Sequence, residues 1–479
     1  MIMKKNSRYG IIFLVLLTNY KAYTQTGDTV LSLRQSVEIA IKNNLQVKQS
    51  DLQAQTDYVT LKQSQANRLP NANAFVTHGL NQGRSIDPFS NTYINQNVNY
   101  GNYELSSTVI LSNGGQLKNI VKQNELGLAA SRMDVQLAKE NLTLNVILAY
   151  LQVLNNEDLA EQSKNQMALT GKQVERLEIL DREGAIIPAQ LYELKGQLAN
   201  DHLSFITNQN AVESAKLSLS QLMNVAYNKN LKLERITADQ YVVGNDADPE
   251  MIYQEAEKIY PQIKAAVYRR QGANAGVRVA RGAFYPQLSL SGSLNTNYSS
   301  AASRDVLLSQ TQVPSGDYIT INGDQVPVIT TKSNFNSQKI NYVDQFRNNY
   351  GTSLNLNLRI PIFNANNAKN RVALAKIALE NSEIVEQTAK IQLKQNVEQA
   401  YFNMKASYEK YKTLLQQVQD FDSAFKIAEV RFNEGASNQV EYLIAKNNLD
   451  RANINLISAL YDYVFRLKIL DYYRGKLVL

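Results

Sequence analysis

The chain has 479 residues, 50 Lys and Arg against 43 Asp and Glu, two His, and neither Cys nor Trp. Without cysteine there can be no disulfide framework, thiol nucleophile, iron–sulfur site or lipidated N-terminal cysteine, and two histidines cannot build a zinc-finger-like cluster. The net charge of +7 is spread along the chain with no basic block interleaved with aromatics, which argues against a nucleic-acid interface.

The chain opens with Lys4, Lys5 and Arg8, then an apolar run from Gly10 to Thr18, then the small-residue stretch Ala22-Tyr23-Thr24. This is the pattern of an export signal over residues 1–24, and the apolar run is too short for an ordinary spanning helix. No other long apolar stretch exists, so a membrane crossing by this chain must be made by β-strands.

The body of the chain repeats itself. Asn113 and Lys118 match Asn364 and Lys369, Ala149 and Tyr150 match Ala400 and Tyr401, and Glu183-Gly184-Ala185 matches Glu434-Gly435-Ala436, all at an offset of 251. Upstream the offset is 216, pairing Pro70 with Pro286, so the second copy carries 251 − 216 = 35 extra residues. An ungapped match of this length implies two copies of one structural unit. Residues 25–223 form the first repeat, 224–248 a connector, and 249–479 the second repeat.

Each copy reads as helix, strand, loop, strand, long helix, sharp turn, helix. In the first, a helix over 33–68 ends ahead of Pro70, strands follow at 72–80 and 104–111, and a helix of on the order of 100 Å spans 116–182. In the second, a helix over 249–283 ends ahead of Pro286, and strands lie at 287–297 and 353–363. The stretch 299–350, rich in Ser, Asn, Gln and Gly, reads as a long loop, and a long helix follows at 367–433. Leu288, Leu290 and Leu294 share one strand face; Leu354, Leu356, Leu358 and Ile360 alternate with Asn355, Asn357 and Arg359 on another strand. A period of two gives each strand an apolar and a wet face. Pro70, Pro286 and Pro361 mark handovers between helix and strand.

The long helices carry sevens. Val146, Val153, Ala160, Met167 and Val174 form one series, and Val397, Met404, Tyr411, Val418, Phe425 and Phe432 the matching one. The returning helices keep the spacing through Leu191, Leu198, Phe205, Val212 and Leu219, and through Tyr442, Leu449, Leu456, Tyr463 and Leu470. Such sustained heptads predict left-handed coiled-coil packing. Four strands cannot close a barrel, and an open edge in lipid strands backbone groups at several kcal/mol each. Several chains must therefore share one barrel: two would give eight strands with a filled interior, three would give twelve around a pore.

Three stretches then resemble the TolC family of outer-membrane efflux proteins: residues 31–45, LSLRQSVEIAIKNNL; residues 283–290, AFYPQLSL; and residues 431–443, RFNEGASNQVEYL. The resemblance covers nearly the whole mature chain. It implies a mainly α chain with membrane β: a homotrimer with a 12-stranded barrel in outer-membrane lipid, continued by an α-helical coiled-coil periplasmic tunnel. The 224–248 connector is then equatorial and the 35 extra residues extracellular. It also implies a periplasmic adaptor and an inner-membrane pump of RND or ABC type as partners.

No catalytic, cofactor or metal constellation is present: His78 and His202 have no paired nucleophile, and Gly114-Gly115 lacks the Lys-Ser/Thr of a phosphate loop. The candidate functional residues sit at the helix reversals. Gly184 and Gly435 are where glycine suits a tight turn, and Pro188 suits a first helical turn. The family's acidic residue six positions past the second glycine lines its periplasmic entrance, and here that position is Glu441. Asn438 and Glu441 equally have the spacing of a capping box. The family's second acidic position is Ile444 here, the first repeat has Gln190 in place of Glu441, and Phe432 both matches a family gate aromatic and completes a heptad series. A coiled-coil surface stalk and a simple diffusion porin are the competing readings. The repeat argues against the stalk, which needs none, and the long helices argue against the porin, whose strands dominate.

Overall fold

The structure, a computed structural model, describes residues 30–87, 90–236 and 248–476. The expected export signal and the middle of the 224–248 connector lie outside these residues.

The helices follow both sequence offsets to the residue. α1 (Leu33–Asn43) and α2 (Leu45–Ala66) lead the first repeat, and α5 (Pro249–Ile259) and α6 (Pro261–Gly282) lie 216 positions later. The long α3 (Gln116–Arg182) and returning α4 (Pro188–Leu222) recur 251 positions later as α8 (Asn367–Asn433) and α9 (Gln439–Tyr473). The expected single helices at 33–68 and 249–283 are each broken once, at Asn44 and Tyr260. There the backbone turns extended, with ψ of 126° and 122°. Asn44 caps the second piece by accepting from the Val47 N–H at 3.0 Å. In the second repeat Pro261 begins α6, and its ring drives Tyr260 out of the helical region.

Four strands form one antiparallel sheet: β2 (Asn73–Asn81), β5 (Val98–Asn113), β7 (Gln287–Ser299) and β10 (Gly351–Arg359), in the order β10-β7-β5-β2. β10 is shorter than the expected 353–363. The ladder stops at Arg359, two residues before Pro361, which has no N–H to donate, so Ile360 to Phe363 lie past its end. At the sheet's far end β3 (Arg84–Ile86) pairs with β4 (Tyr93–Asn95). The stretch 299–350 is not a loop. It folds as a long hairpin, β8 (Ser303–Ile321) against β9 (Asp324–Lys339), followed by α7 (Tyr342–Asn348). Its turn is Asn322-Gly323, both at positive φ (54° and 101°), the residue pair a two-residue hairpin turn favours.

At mid-length β1 (Val30–Leu31) pairs in parallel with β6 (Lys232–Leu233). The Tyr150 hydroxyl on α3 donates to the carbonyls of Leu31 and Glu234 at 3.0 and 2.8 Å, tying the N-terminal strand and the connector to the long helix. Two apolar cores meet here. One gathers Val37, Val146, Leu154, Leu219 and Val464, the other Ile252, Ile263, Val397, Met404 and Leu470. Heptad positions near this level are buried, while Ala160, Met167, Tyr411 and Val418 farther out are half-buried. On the second repeat Arg270 donates to Glu386 at 2.6 Å, and Lys390 lies 3.2 Å from the same carboxylate. Burial opposes ionisation of Glu386, but these two cations hold its pKa below the ordinary carboxylate value.

The strand-to-helix corner depends on Gly114 (φ +64°). A Cβ there would sit 2.6 Å from the Gly282 carbonyl and 2.7 Å from the Tyr285 Cβ. Gly114→Ala is therefore expected to cost about 2 kcal/mol or more, combining left-handed strain with a clash against backbone. Gly115→Ala, at φ +75° but with Asn119 no closer than 3.5 Å, should cost less. Thermal melting followed by circular dichroism checks this, and equal losses for the two would contradict it.

Candidate functional site

The sequence-predicted candidate residues fall in two regions, the strand wall and the helical tip. Cross-strand register sorts the wall into faces. Leu356 stands opposite Leu290, which stands opposite Val109; Leu358 faces Leu288, and Leu294 faces Leu105. These, with Leu354, make one apolar face, and Leu354, Leu356 and Leu358 are 76%, 65% and 60% exposed. The other face carries Asn355, Asn357 and Arg359 beside Ser289, Ser291 and Ser293, and is knit by polar contacts. Ser293 and Ser353 hydroxyls are 2.8 Å apart, and the Asn357 amide donates to Ser291 at 3.1 Å. At the hairpin end the apolar face turns aromatic: Tyr342 packs on Tyr298 at 5.0 Å, and Phe346 on Tyr103 at 5.7 Å. An apolar band closed by aromatics on one face, with a Ser/Asn carpet on the other, is the division between lipid and water in a membrane barrel. Pro70 and Pro286 sit in the short turns between helix and strand, and Pro361 in the corresponding link from β10 to α8.

At the other end both long helices reverse in the same way. Gly184 and Gly435 take φ of 69° and 72°, and Ala185 and Ala436 donate back to Leu180 and Arg431 carbonyls at 2.8 and 2.7 Å. Nothing lies within 4 Å of a Cβ at either glycine, so it is the left-handed backbone that calls for glycine. Pro188 is the first residue of α4. Asn438 caps α9, its side chain accepting from the Glu441 N–H at 2.9 Å. The reciprocal half of the capping box is missing: the exposed Glu441 carboxylate instead accepts from the Ser437 hydroxyl at 2.6 Å. Glu441 is thus free of the helix end that the spacing predicts it to satisfy. Ile444, in the place of the family's second acid, is 57% exposed.

The two reversals are tied together. Gln439 is buried and donates to the Gln190 carbonyl at 3.0 Å, and Arg176 of α3 bonds Asn433 at the end of α8. Phe432 is half-buried, stacked on Tyr442 at 4.9 Å under the Arg176 guanidinium, so it serves packing. Burial pushes the Tyr442 hydroxyl up from its ordinary pKa.

Deeper in this seam lies a cluster the sequence reading passed over. Lys446 is 1% exposed, with Asp450 at 2.7 Å and Asp201 of α4 at 3.1 Å. Thr170 of α3 donates to Asp201 at 2.5 Å, and Gln197 does so at 2.7 Å. Burial raises the Asp450 pKa, and the Lys446 charge partly offsets it. The signal was in the heptads: Lys446 stands four after Tyr442 and three before Leu449, on their inward face, and Asp201 stands seven after the buried Leu194.

Residues 252–471 match the protein family described as Outer membrane efflux protein. Over 430 residues the chain is 21% identical to outer membrane protein TolC of Vibrio cholerae, an alignment covering 89% of this chain and 86% of that one. The Campylobacter jejuni CmeC outer membrane channel superposes with a TM-score of 0.73 at 18% identity, covering 93% of this chain and 86% of the other. The open state of the Neisseria gonorrhoeae MtrE outer membrane channel superposes with a TM-score of 0.71 at 17% identity, covering 93% and 89%. These superpositions carry the fold.

Proposed function

We propose that the chain is an outer-membrane efflux protein of TolC type, as the match of its second repeat to that family supports, and that three copies pool their sheets into one 12-stranded barrel. The carrying observation is the four-stranded sheet itself. It has one apolar face, one polar face, and two edges, β2 and β10, with no second neighbour among the described residues. In lipid each unpaired N–H and C=O costs several kcal/mol, and pairing β10 of one copy with β2 of the next satisfies both edges. Four strands from each of three copies leave a lumen wide enough for passage. The paired helices then continue the wall as a periplasmic tunnel. In this reading the duct is passive, and its energy comes from an inner-membrane pump (RND or ABC) engaged through a periplasmic adaptor. The matched family is one of efflux proteins, not of enzymes.

Chemical crosslinking of the purified protein should give a trimer as the largest species, and a dimer or monomer would overturn the barrel. Photo-crosslinkers beside Gly184 and Gly435 should capture an adaptor in the cell envelope. Capture of none would favour a porin or stalk.

Three Glu441 carboxylates around the axis would form a ring that binds cations and hinders anions at the entrance. Glu441→Ala is expected to weaken divalent-cation block and to raise basal conductance in planar bilayers. Because Asn438 still caps α9 in the variant, a loss of helix stability would not account for the change. Conductance and block that both stay at the wild-type level would remove Glu441 from the gate.

A further inference from the structure

The helix–strand junctions carry a pattern that the duct alone does not use. Just below the sheet, large apolar side chains stand in the open: Leu69 is 67% exposed, Phe284 53%, Tyr285 61%, Ile362 94% and Phe363 82%. Cations lie beyond them on every arm. Arg68 follows α2, Lys118 opens α3, Arg281 closes α6, and Lys369 and Arg371 open α8, all of them exposed. None of these five forms an ion pair among the described residues. Some cations farther along the helices are paired, as in Lys195 with Glu178, Lys216 with Glu157 and Lys394 with Glu250. The nearest carboxylates on α2 and α3, Asp57 and Glu125, are engaged by Ser131 and Lys122, and on α8 the nearest is the exposed Glu380, nine residues past Arg371.

We infer that this inner rim grips the anionic phospholipid headgroups of the membrane's periplasmic leaflet. The aromatic and aliphatic residues border the acyl chains, and the cations one or two turns below reach the phosphates. Continuity selects lipid over an anionic cargo as the occupant. The apolar face of β10 ends at Leu358, and the exposed Ile360, Ile362 and Phe363 follow it in the chain, between that face and the cations that open α8. The inference rests on the barrel reading, which sets that face toward lipid.

The test uses the purified full-length protein incubated with phosphatidylglycerol or with phosphatidylcholine, then passed through size exclusion, with the retained lipid quantified. Wild type should retain at least about tenfold more phosphatidylglycerol, as two or three cations at a charged surface supply. The excess should fall in 0.5 M NaCl, where screening shortens to a few Å. Combined Arg68→Gln, Arg281→Gln, Lys369→Gln and Arg371→Gln should abolish the preference, and the matching Arg→Lys set should keep it. Equal retention of both lipids by wild type, or an unchanged preference in the Gln variant, overturns the inference. So does a Gln variant whose ion selectivity in planar bilayers shifts while its lipid preference stays, because the cations would then line the lumen. Crosslinking and conductance of the same samples separate the two readings: a conducting trimer without lipid preference sinks this inference alone, and a wild type that forms no trimer sinks the barrel as well.

Discussion

Lys446→Met is expected to loosen the tip end of the seam between α9 and the α3–α4 pair by roughly 3–5 kcal/mol, the cost of breaking a buried ion pair from one side. Lys446 is the cation between two carboxylates, Asp201 across the seam and Asp450 on its own helix, at 3.1 and 2.7 Å. Removing it leaves both facing each other with little water. Asp201 keeps its bonds from Thr170 and Gln197, so Asp450 carries most of the burden. Burial already raises its pKa, and losing the lysine raises it further. A carboxyl whose folded-state pKa is raised favours the folded state as pH falls. The defect should therefore be large at neutral pH and shrink on acidification. Replacing all three charges, Lys446→Met with Asp201→Asn and Asp450→Asn, should recover much of the loss. Limited proteolysis at the tip between pH 5 and 8 reads the effect. Wild-type resistance in the single variant would show that the lysine holds nothing together, and a sensitivity that does not change with pH would show that Asp450 does not carry the burden.

The same cluster shows where reading from sequence stops. The helices were legible because each repeat keeps its hydrophobic period, and the offsets of 216 and 251 align helix ends to the residue. The misses have local physical causes whose signals were present. Pro261 excludes a helix through Tyr260, and Asn322-Gly323 between alternating residues is a hairpin turn, although the polar strands of β8 and β9 look like loop. Others depend on partners that no local window contains. Lys446 and Asp201 lie 245 positions apart, and only the packing of the two helical hairpins brings them together. Glu441 had a capping-box spacing, but its rotamer went to Ser437, a choice between two nearby donors that spacing cannot decide. The wall's faces were legible in β7 and β10, where Leu alternates cleanly. In β2 and β5, which hold Tyr, Gly and Ser, it is the register that shows the faces.

That register makes adjacent residues respond in opposite ways. Leu356→Arg places a guanidinium at the middle of the apolar row on β10, beside Leu290. At the bilayer midplane this costs about 2–4 kcal/mol per copy, hence on the order of 6–12 kcal/mol in a three-copy barrel. Assembly should fail, leaving little crosslinkable trimer in the outer-membrane fraction. Asn355→Arg, one residue earlier, points to the face lined by Ser291 and Ser293, where water solvates the charge. It should assemble at wild-type levels and shift ion selectivity toward anions. Neither outcome follows from hydrophobicity alone, because both variants add the same charge to the same exposed strand. If Asn355→Arg is the one that fails, lipid lies against the Ser/Asn carpet, and the faces of the wall are the reverse of those assigned. If both assemble, the strand does not cross the bilayer, and the barrel must be built from other segments.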